Sequence, residues 1–270
     1  TTKQILYTNE IPKPPFLGVK NIYHVDLNKV FRYINKFSLF SSKWGYKKGD
    51  MSEEGYNDLI KNLAYKEYNK IKDNLLNSNV IDAKVSYAYF GCKSYGNRLK
   101  IYNENMEETI AAFTFPRQKG ENGLCISDYF HEKIMDTVVF QVVTLGNNMV
   151  AFLENLFMEN KYKEYYTYHG LFAELTEALA EFSHRQIRKE LQIDHDKSDN
   201  IEAILNGKYR GCRYSFGYPA CPELKGNLII AKLLNIKDIG IELTDELQMV
   251  PEYTTSAIIA HNPEAINFRI

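Results

Sequence analysis

The residues best suited to hold a ligand are Arg213 and Tyr218, set in the run Arg213-Tyr214-Ser215-Phe216-Gly217-Tyr218-Pro219-Ala220-Cys221-Pro222. Two prolines and a glycine fix the path of such a loop, so a cationic and a phenolic side chain project from a rigid turn. That is how a rigid ligand-holding turn is built. On composition alone the same run also reads as an ordered turn before a helix, with the arginine in a surface ion pair. A second candidate is the row Glu177, Glu181, His184 and Arg188, at helical spacing beside the apolar stripe Leu171, Phe172, Leu175, Ala178, Leu179 and Phe182. Such a charged row is ordinarily a solvated face, and Glu177, nearest the stripe, is the member expected to reach a cleft. The third candidate is Met249-Val250-Pro251-Glu252-Tyr253-Thr254-Thr255-Ser256, followed by His261-Asn262-Pro263-Glu264-Ala265. It reads as an edge strand and a closing turn, with His261 a capping or surface histidine.

Several other chemistries lack their residues. The sequence has no GxGxxG after a strand, no GxxxxGK[ST] and no GxSxG, so a Rossmann site, a P-loop and a hydrolase elbow are all unsupported. Cys92, Cys125, Cys212 and Cys221 form no CxxC, and the six histidines form no HExxH or HxH pair, so no metal site is expected. With 33 Lys and Arg against 34 Asp and Glu, the net charge of -1 gives no footprint for a nucleic-acid backbone. No apolar run approaches the roughly 20 residues that span a bilayer, and no basic-then-apolar leader is present. These features imply a reducing, cytoplasmic compartment without membrane attachment.

The elements that must position the candidates follow from periodicity. At 270 residues and 44% hydrophobic content the chain can bury a full core. Ile11-Pro12-Lys13-Pro14-Pro15 predicts an extended arm or linker over residues 1–20, ahead of a single domain over residues 21–270. The absence of an initiator Met fits a chain processed or excised from something longer. Apolar residues at three- and four-residue steps predict a helix from Glu54 to about Asn77. Four β-rich runs come next, at Ala83 to Cys92, Arg98 to Tyr102, Thr109 to Phe115 and Thr137 to Leu145. Asn147 is placed to cap a helix reaching about Asn160, and a longer helix runs from near Tyr166 to Leu191. Beyond Lys197 the pattern returns to turns, with a helix near Asn227 to Leu234 and strand-like runs around Leu247 to Val250 and Thr255 to Ala260. Strands grouped first, helices next and strands again predict an α+β fold with a largely antiparallel sheet.

Taken together, these segments resemble the carboxyl-terminal activation domain of cobalamin-dependent methionine synthases. That family carries an RxxxGYPACP loop, matched by Arg213 to Pro222, and a helix close to LAEAxAExxHxxxRK, matched by Leu175 to Lys189. Its LTES…M.P…S…HP pattern is echoed by Leu243-Thr244-Asp245-Glu246, Met249, Pro251, Ser256, His261 and Pro263. Tyr33-Ile34-Asn35, Phe40, Trp44, Pro14-Pro15 and Leu17-Gly18 extend the likeness over almost the whole chain.

The resemblance implies a curved, largely antiparallel β-sheet with helices packed around it. It also implies S-adenosylmethionine (AdoMet) as ligand and a role in reductive methylation of cob(II)alamin. The cobalamin would come on a partner domain or subunit of methionine synthase, and the electron from flavodoxin or another donor. The cofactor then supplies the hard chemistry, and the protein positions and desolvates. Carried over residue by residue, Arg213 would pair with the AdoMet carboxylate and Glu177 would face the ammonium. Backbone at Ser215 and near Asn267 and Phe268 would hold the rest, and Tyr218 would sit where AdoMet meets the corrin. Asn35 stands where the family has an aspartate; it can accept a hydrogen bond from an ammonium but brings no charge, a loss of about 1 kcal/mol. Asn267-Phe268 replaces a tyrosine pair, and Glu223-Leu224-Lys225-Gly226-Asn227 replaces an acidic DHTEK run. These departures favour an alternative, a module that docks the cobalamin domain or flavodoxin with weak or lost AdoMet binding.

Overall fold

The computed structural model describes residue 5 and residues 10–119, 123–194 and 200–270. Of the arm expected over residues 1–20, residues 1–4 and 6–9 lie outside that set, as do Lys197 and its neighbours at 195–199. The described part of the arm is packed onto the body: Ile5 is buried, Phe16 meets the Tyr89 ring edge-on at 5.0 Å, and Thr137 Oγ1 donates to the Pro12 carbonyl at 3.0 Å. The boundary expected after residue 20 falls inside the first strand, β1 (Gly18–Ile22).

After β1 come α1 (Leu27–Phe31), a π-helical stretch at Ser38–Lys43, and α2 (Glu53–Leu59) running through a second π-helical stretch, Ile60–Ala64, into α3 (Tyr65–Leu76). The helix read from Glu54 to Asn77 is therefore present, with a π insertion at its middle. Next in the chain are β2 (Lys84–Tyr95), β3 (Arg98–Tyr102), β4 (Thr109–Thr114) and β5 (Asp136–Thr144), close to the four expected runs. Helices α4 (Asn148–Met158) and α5 (Tyr162–Glu190) come after them, then the short α6 (Ile201–Leu205) and β6 (Cys212–Tyr214). Last are α7 (Gly226–Leu234), β7 (Glu242–Leu243), β8 (Met249–Val250) and β9 (Thr254–Ala260).

Among the described residues, seven strands form one open sheet in the order β4-β3-β2-β5-β9-β6, with β1 also on β2; every pairing is antiparallel. The length of β2 makes this arrangement possible. β5 occupies one edge from Lys84 to Cys92, while β1 and β3 share the other, at Val85–Tyr89 and Cys92–Tyr95. The α+β expectation holds.

Side chains alternate across a strand, and both faces of this sheet are covered. Val85, Tyr87 and Tyr89 of β2 and Val139 and Val143 of β5 join a core with α1, α3, α4 and α5. Ala88, Phe90 and Cys92, with Val138, Phe140 and Val142, join a second core under α7 and the C-terminal segment. α5, 29 residues long, crosses the first face above β5 and β9, where Gln141 Nε2 donates to the Ala180 carbonyl at 2.9 Å.

Three readings need correction. Asn147 stands at the start of α4, but its backbone is helical (φ -94°, ψ -24°) instead of extended, so its side chain makes no cap. The Met249–Ser256 run is not one edge strand: β8 leaves the sheet to pair with β7, and β9 lies inside it between β5 and β6. An interior strand delivers the residues at its end into the body of the protein. His261 is therefore neither capping nor at the surface; its Nε2 meets Asp136 Oδ1 at 2.6 Å, and both side chains are at most 5% exposed.

Candidate functional site

The site is assembled on one stripe of α5. Glu174, Glu177, Glu181, His184 and Arg188 recur at steps of three and four residues, so they face the same way along nearly four turns. The expected solvated row is largely a buried one: Glu181, His184 and Arg188 are each at most 8% exposed, and Glu177 alone of the row expected from sequence is open. What covers them is β6 and the chain leading into it, which sequence spacing within a helix cannot reveal.

Glu181 is the centre of the buried part. Its Oε2 accepts from Arg213 Nη1 at 2.7 Å and from the Tyr209 hydroxyl at 3.0 Å, and its Oε1 accepts from Arg188 Nη1 at 3.3 Å. The Arg188 guanidinium carbon lies 3.6 Å from the centre of the Tyr209 ring, adding a cation–π contact. Burial and the Glu181 carboxylate push the Tyr209 phenol up to about 12. Arg213 Nη1 also lies 3.2 Å from His184 Nδ1. An arginine only donates, so His184 accepts at Nδ1 and carries its proton on Nε2. Burial, then the positive fields of Arg188 and Arg213, hold the His184 pKa well below 6.5, and the imidazole is neutral.

Arg213 reaches α5 because of its register. It pairs with Ile259 on β9, and its side chain points to the face that carries α5, while Cys212 and Tyr214 point into the opposite core. Burial works against the Arg213 charge, but Glu181 more than restores it and its pKa stands above the ordinary arginine value. Both of its hydrogen bonds leave from Nη1, so the Nε–Nη2 edge is free for a carboxylate among the described residues.

The loop after β6 is locked by its own backbone. Tyr218 N–H donates to the Ser215 carbonyl at 3.3 Å, Gly217 N–H to Cys221 at 2.9 Å, and Cys221 N–H to Tyr218 at 2.9 Å. Gly217 has φ +88°, a left-handed conformation that a side chain would strain. The turn brings Tyr218 back over α5, where its hydroxyl donates to Glu177 Oε1 at 3.2 Å. The Glu177 carboxylate, helped by burial, pushes the Tyr218 phenol up to about 12, so it stays a donor at neutral pH.

The C-terminal segment lies against the same strand and loop. Ile270 N–H donates to the Pro219 carbonyl at 3.2 Å, Tyr214 donates to the Ile266 carbonyl at 2.8 Å, and Cys212 Sγ lies 3.3 Å from Asn267 Oδ1. Phe268 packs on Tyr214 with ring centres 6.0 Å apart. Asn35 lies at the far end of the stripe. Its Oδ1 accepts the Ser38 N–H at 3.0 Å, and the Ser38 hydroxyl donates to Glu174 Oε2 at 3.0 Å.

Glu177 and Tyr218 open onto a cleft of about 1120 Å³ between α4 and α5 on one side and the residues 216–227 and 248–256 on the other. Arg213, Ser215, Asn35, Asn267 and Phe268 do not line it. The seven candidate residues thus divide: Arg213, Ser215, Tyr218, Asn267 and Phe268 gather around β6, Glu177 faces them from α5, and Asn35 touches the stripe through Ser38. Sequence reasoning missed Tyr209, which carries no motif signal, and undervalued Glu181. The spacing of Glu181 after Glu177 could have placed it; only the fold shows that it is covered.

Matches to known proteins cover almost the whole chain. Residues 26–270 match the family model of the vitamin B12-dependent methionine synthase activation domain. The chain is 33% identical over 279 aligned residues to a methionine synthase of Mycobacterium tuberculosis (strain ATCC 25618 / H37Rv) and, to the same degree, to that of Mycobacterium leprae (strain TN). Each alignment takes in 97% of this chain and 23% of the relative, so the chain spans about a quarter of the length of these proteins. A crystal structure of a MetH reactivation domain bound to AdoHcy superposes with a TM-score of 0.86 at 22% identity, covering 96% of this chain and 83% of that one.

Proposed function

The chain belongs to the activation-domain family of vitamin B12-dependent methionine synthases, and from that premise we propose that it binds AdoMet and supports reductive methylation of cob(II)alamin held by a methionine synthase. It acts as a module or subunit of that methyltransferase. Its partners are the cobalamin-carrying domain and flavodoxin or another one-electron donor.

The observation that carries this reading is the free edge of Arg213. The guanidinium is fixed by Glu181 and His184 through Nη1, which leaves Nη2 and Nε in the fork geometry that suits a carboxylate. Glu177 offers its carboxylate to the ammonium at the same ligand end. Backbone at Ser215 and along Asn267 and Phe268 flanks the remainder, since those segments are joined by the Ile270–Pro219 and Tyr214–Ile266 hydrogen bonds. Tyr218, 52% exposed at the cleft rim, is suited to face the corrin of a docked partner. When bound, the cobalamin supplies the reduced metal that accepts the methyl group. This chain's residues would position the sulfonium and exclude water, work that needs no acid–base pair.

The test is formation of methylcobalamin, followed by absorbance, from a cob(II)alamin-loaded cobalamin domain with reduced flavodoxin and AdoMet. Methylation that requires this chain supports the reading; an equal yield without it refutes it. One observation favours a second reading, docking without useful AdoMet binding: Arg213 already has a carboxylate partner in Glu181. In that case the chain would bind the cobalamin domain or flavodoxin yet give no methylation.

A further inference from the structure

The weak point of the ligand site is its ammonium end, and the geometry there reassigns a role. Asn35 caps the helical turn that begins at Lys36, with its Oδ1 receiving the Ser38 N–H at 3.0 Å. Its Oδ1 keeps a second lone pair but carries no charge, and the amide NH2 beside it is a donor that an ammonium group cannot use. Ser38 turns its hydroxyl to the other side and donates to Glu174 Oε2 at 3.0 Å. One residue therefore holds Asn35 and Glu174 side by side.

Glu174 is unusual among the acids of this chain. It is 7% exposed and makes no ion pair among the described residues. Lys43 acts on it only through its field, and Glu177, one turn further along α5, adds a second negative charge. Burial raises the Glu174 pKa, with Ser38 and Lys43 opposing the shift and Glu177 adding to it. Buried carboxylates are ordinarily paired with a cation, and this one lacks its partner at the end of the stripe where the ligand's ammonium is expected.

We propose that Glu174 is the carboxylate that receives the ammonium of the aminoacyl ligand, supplying the charge that the Asn35 amide does not. This deepens the AdoMet reading and rests on it. Arg213 then holds one end of the ligand's amino-acid group and Glu174 with Glu177 the other. The stripe of α5 becomes a ruler for a zwitterion rather than a site for a lone anion.

The experiment is calorimetric titration of the whole chain with three ligands: AdoMet, S-adenosylhomocysteine, and 5′-methylthioadenosine, which lacks the amino-acid group. Glu174→Gln keeps the acceptor for Ser38 and removes the charge. It should bind both aminoacyl ligands at least tenfold more weakly and methylthioadenosine as the unaltered chain does. Adding Asn35→Asp to Glu174→Gln should restore much of the loss. Should the Gln variant fail to fold, Glu174→Asp withdraws the charge by one methylene and should weaken only the aminoacyl ligands, several-fold. Unchanged affinity in Glu174→Gln, or an equal loss for all three ligands, overturns the proposal and leaves the Arg213 contact standing. No binding of any ligand by the unaltered chain would instead sink the AdoMet reading itself.

Discussion

Glu181→Ala is the perturbation whose size the structure fixes best. Its carboxylate is 10% exposed and is the shared partner of Arg213 (18% exposed) and Arg188 (1% exposed), at 2.7 and 3.3 Å. Removing it leaves Arg213 with no carboxylate and Arg188 with only Asp194, at 3.9 Å, and it also takes the acceptor from Tyr209. Breaking a buried pair from one side costs about 3–5 kcal/mol. Against a total stability of about 5–15 kcal/mol, that is about a fifth or more of what holds the chain folded. Glu177→Ala is the internal control: it lies one turn away on the same stripe, is exposed, and loses only the Tyr218 hydrogen bond at 3.2 Å. It should cost no more than about 1 kcal/mol. Equilibrium urea unfolding at neutral pH, followed by circular dichroism, measures both. Equal midpoints for the two variants, or a loss below about 1 kcal/mol for Glu181→Ala, would refute the claim that a covered ion cluster organises this face.

Other consequences are open to simple assays. His184 is neutral when folded because burial and two arginines hold its pKa well below 6.5. The unfolded chain therefore binds more protons below that pH, and His184 contributes stability that is full above 6.5 and falls with acidity at up to about 1.4 kcal/mol per pH unit. His184→Asn should flatten the acid side of the stability profile between pH 5 and about 6.5; an unaltered slope would contradict the assignment. The four thiols are buried, and burial pushes Cys212 up to about 11 and Cys221 up to about 12, with Cys92 and Cys125 also raised. An aromatic disulfide reagent at pH 8 should titrate none of them in the folded chain and all of them in urea, and fast native labelling would show that the packing is wrong. Gly226→Ala would set its Cβ 2.0 Å from the Phe216 ring, which lines the cleft. The ring must move, at about 1–3 kcal/mol, and a thermal midpoint equal to that of the unaltered chain would deny the contact.

What the sequence could and could not convey divides along physical lines. Strands β2 to β5 were legible because each is a β-rich run that turn residues set apart, and α5 because its apolar stripe is long. β1 was not, since five residues behind a proline-rich arm carry too little pattern to separate a strand from extended coil. β6 was hidden for the same reason: three residues, Cys212 to Tyr214, read as part of the loop after them, although the strand is what turns Arg213 toward α5. The family loop and helix motifs identified the segments that meet at the site. They did not show that Glu181 and His184 are roofed over, because burial of a charged row depends on a strand distant in sequence. Nor did they show that His261 closes onto Asp136 across 125 residues.

Whether Arg213 holds the carboxylate of AdoMet, as proposed, is decided by calorimetric titration of the purified chain. S-adenosylhomocysteine serves as the companion ligand, and circular dichroism checks that Arg213→Ala retains its fold. The unaltered chain is expected to bind AdoMet saturably at micromolar levels, and Arg213→Ala to lose that binding. Folded Arg213→Ala binding AdoMet with undiminished affinity, or an unaltered chain silent up to millimolar ligand, would contradict the proposal.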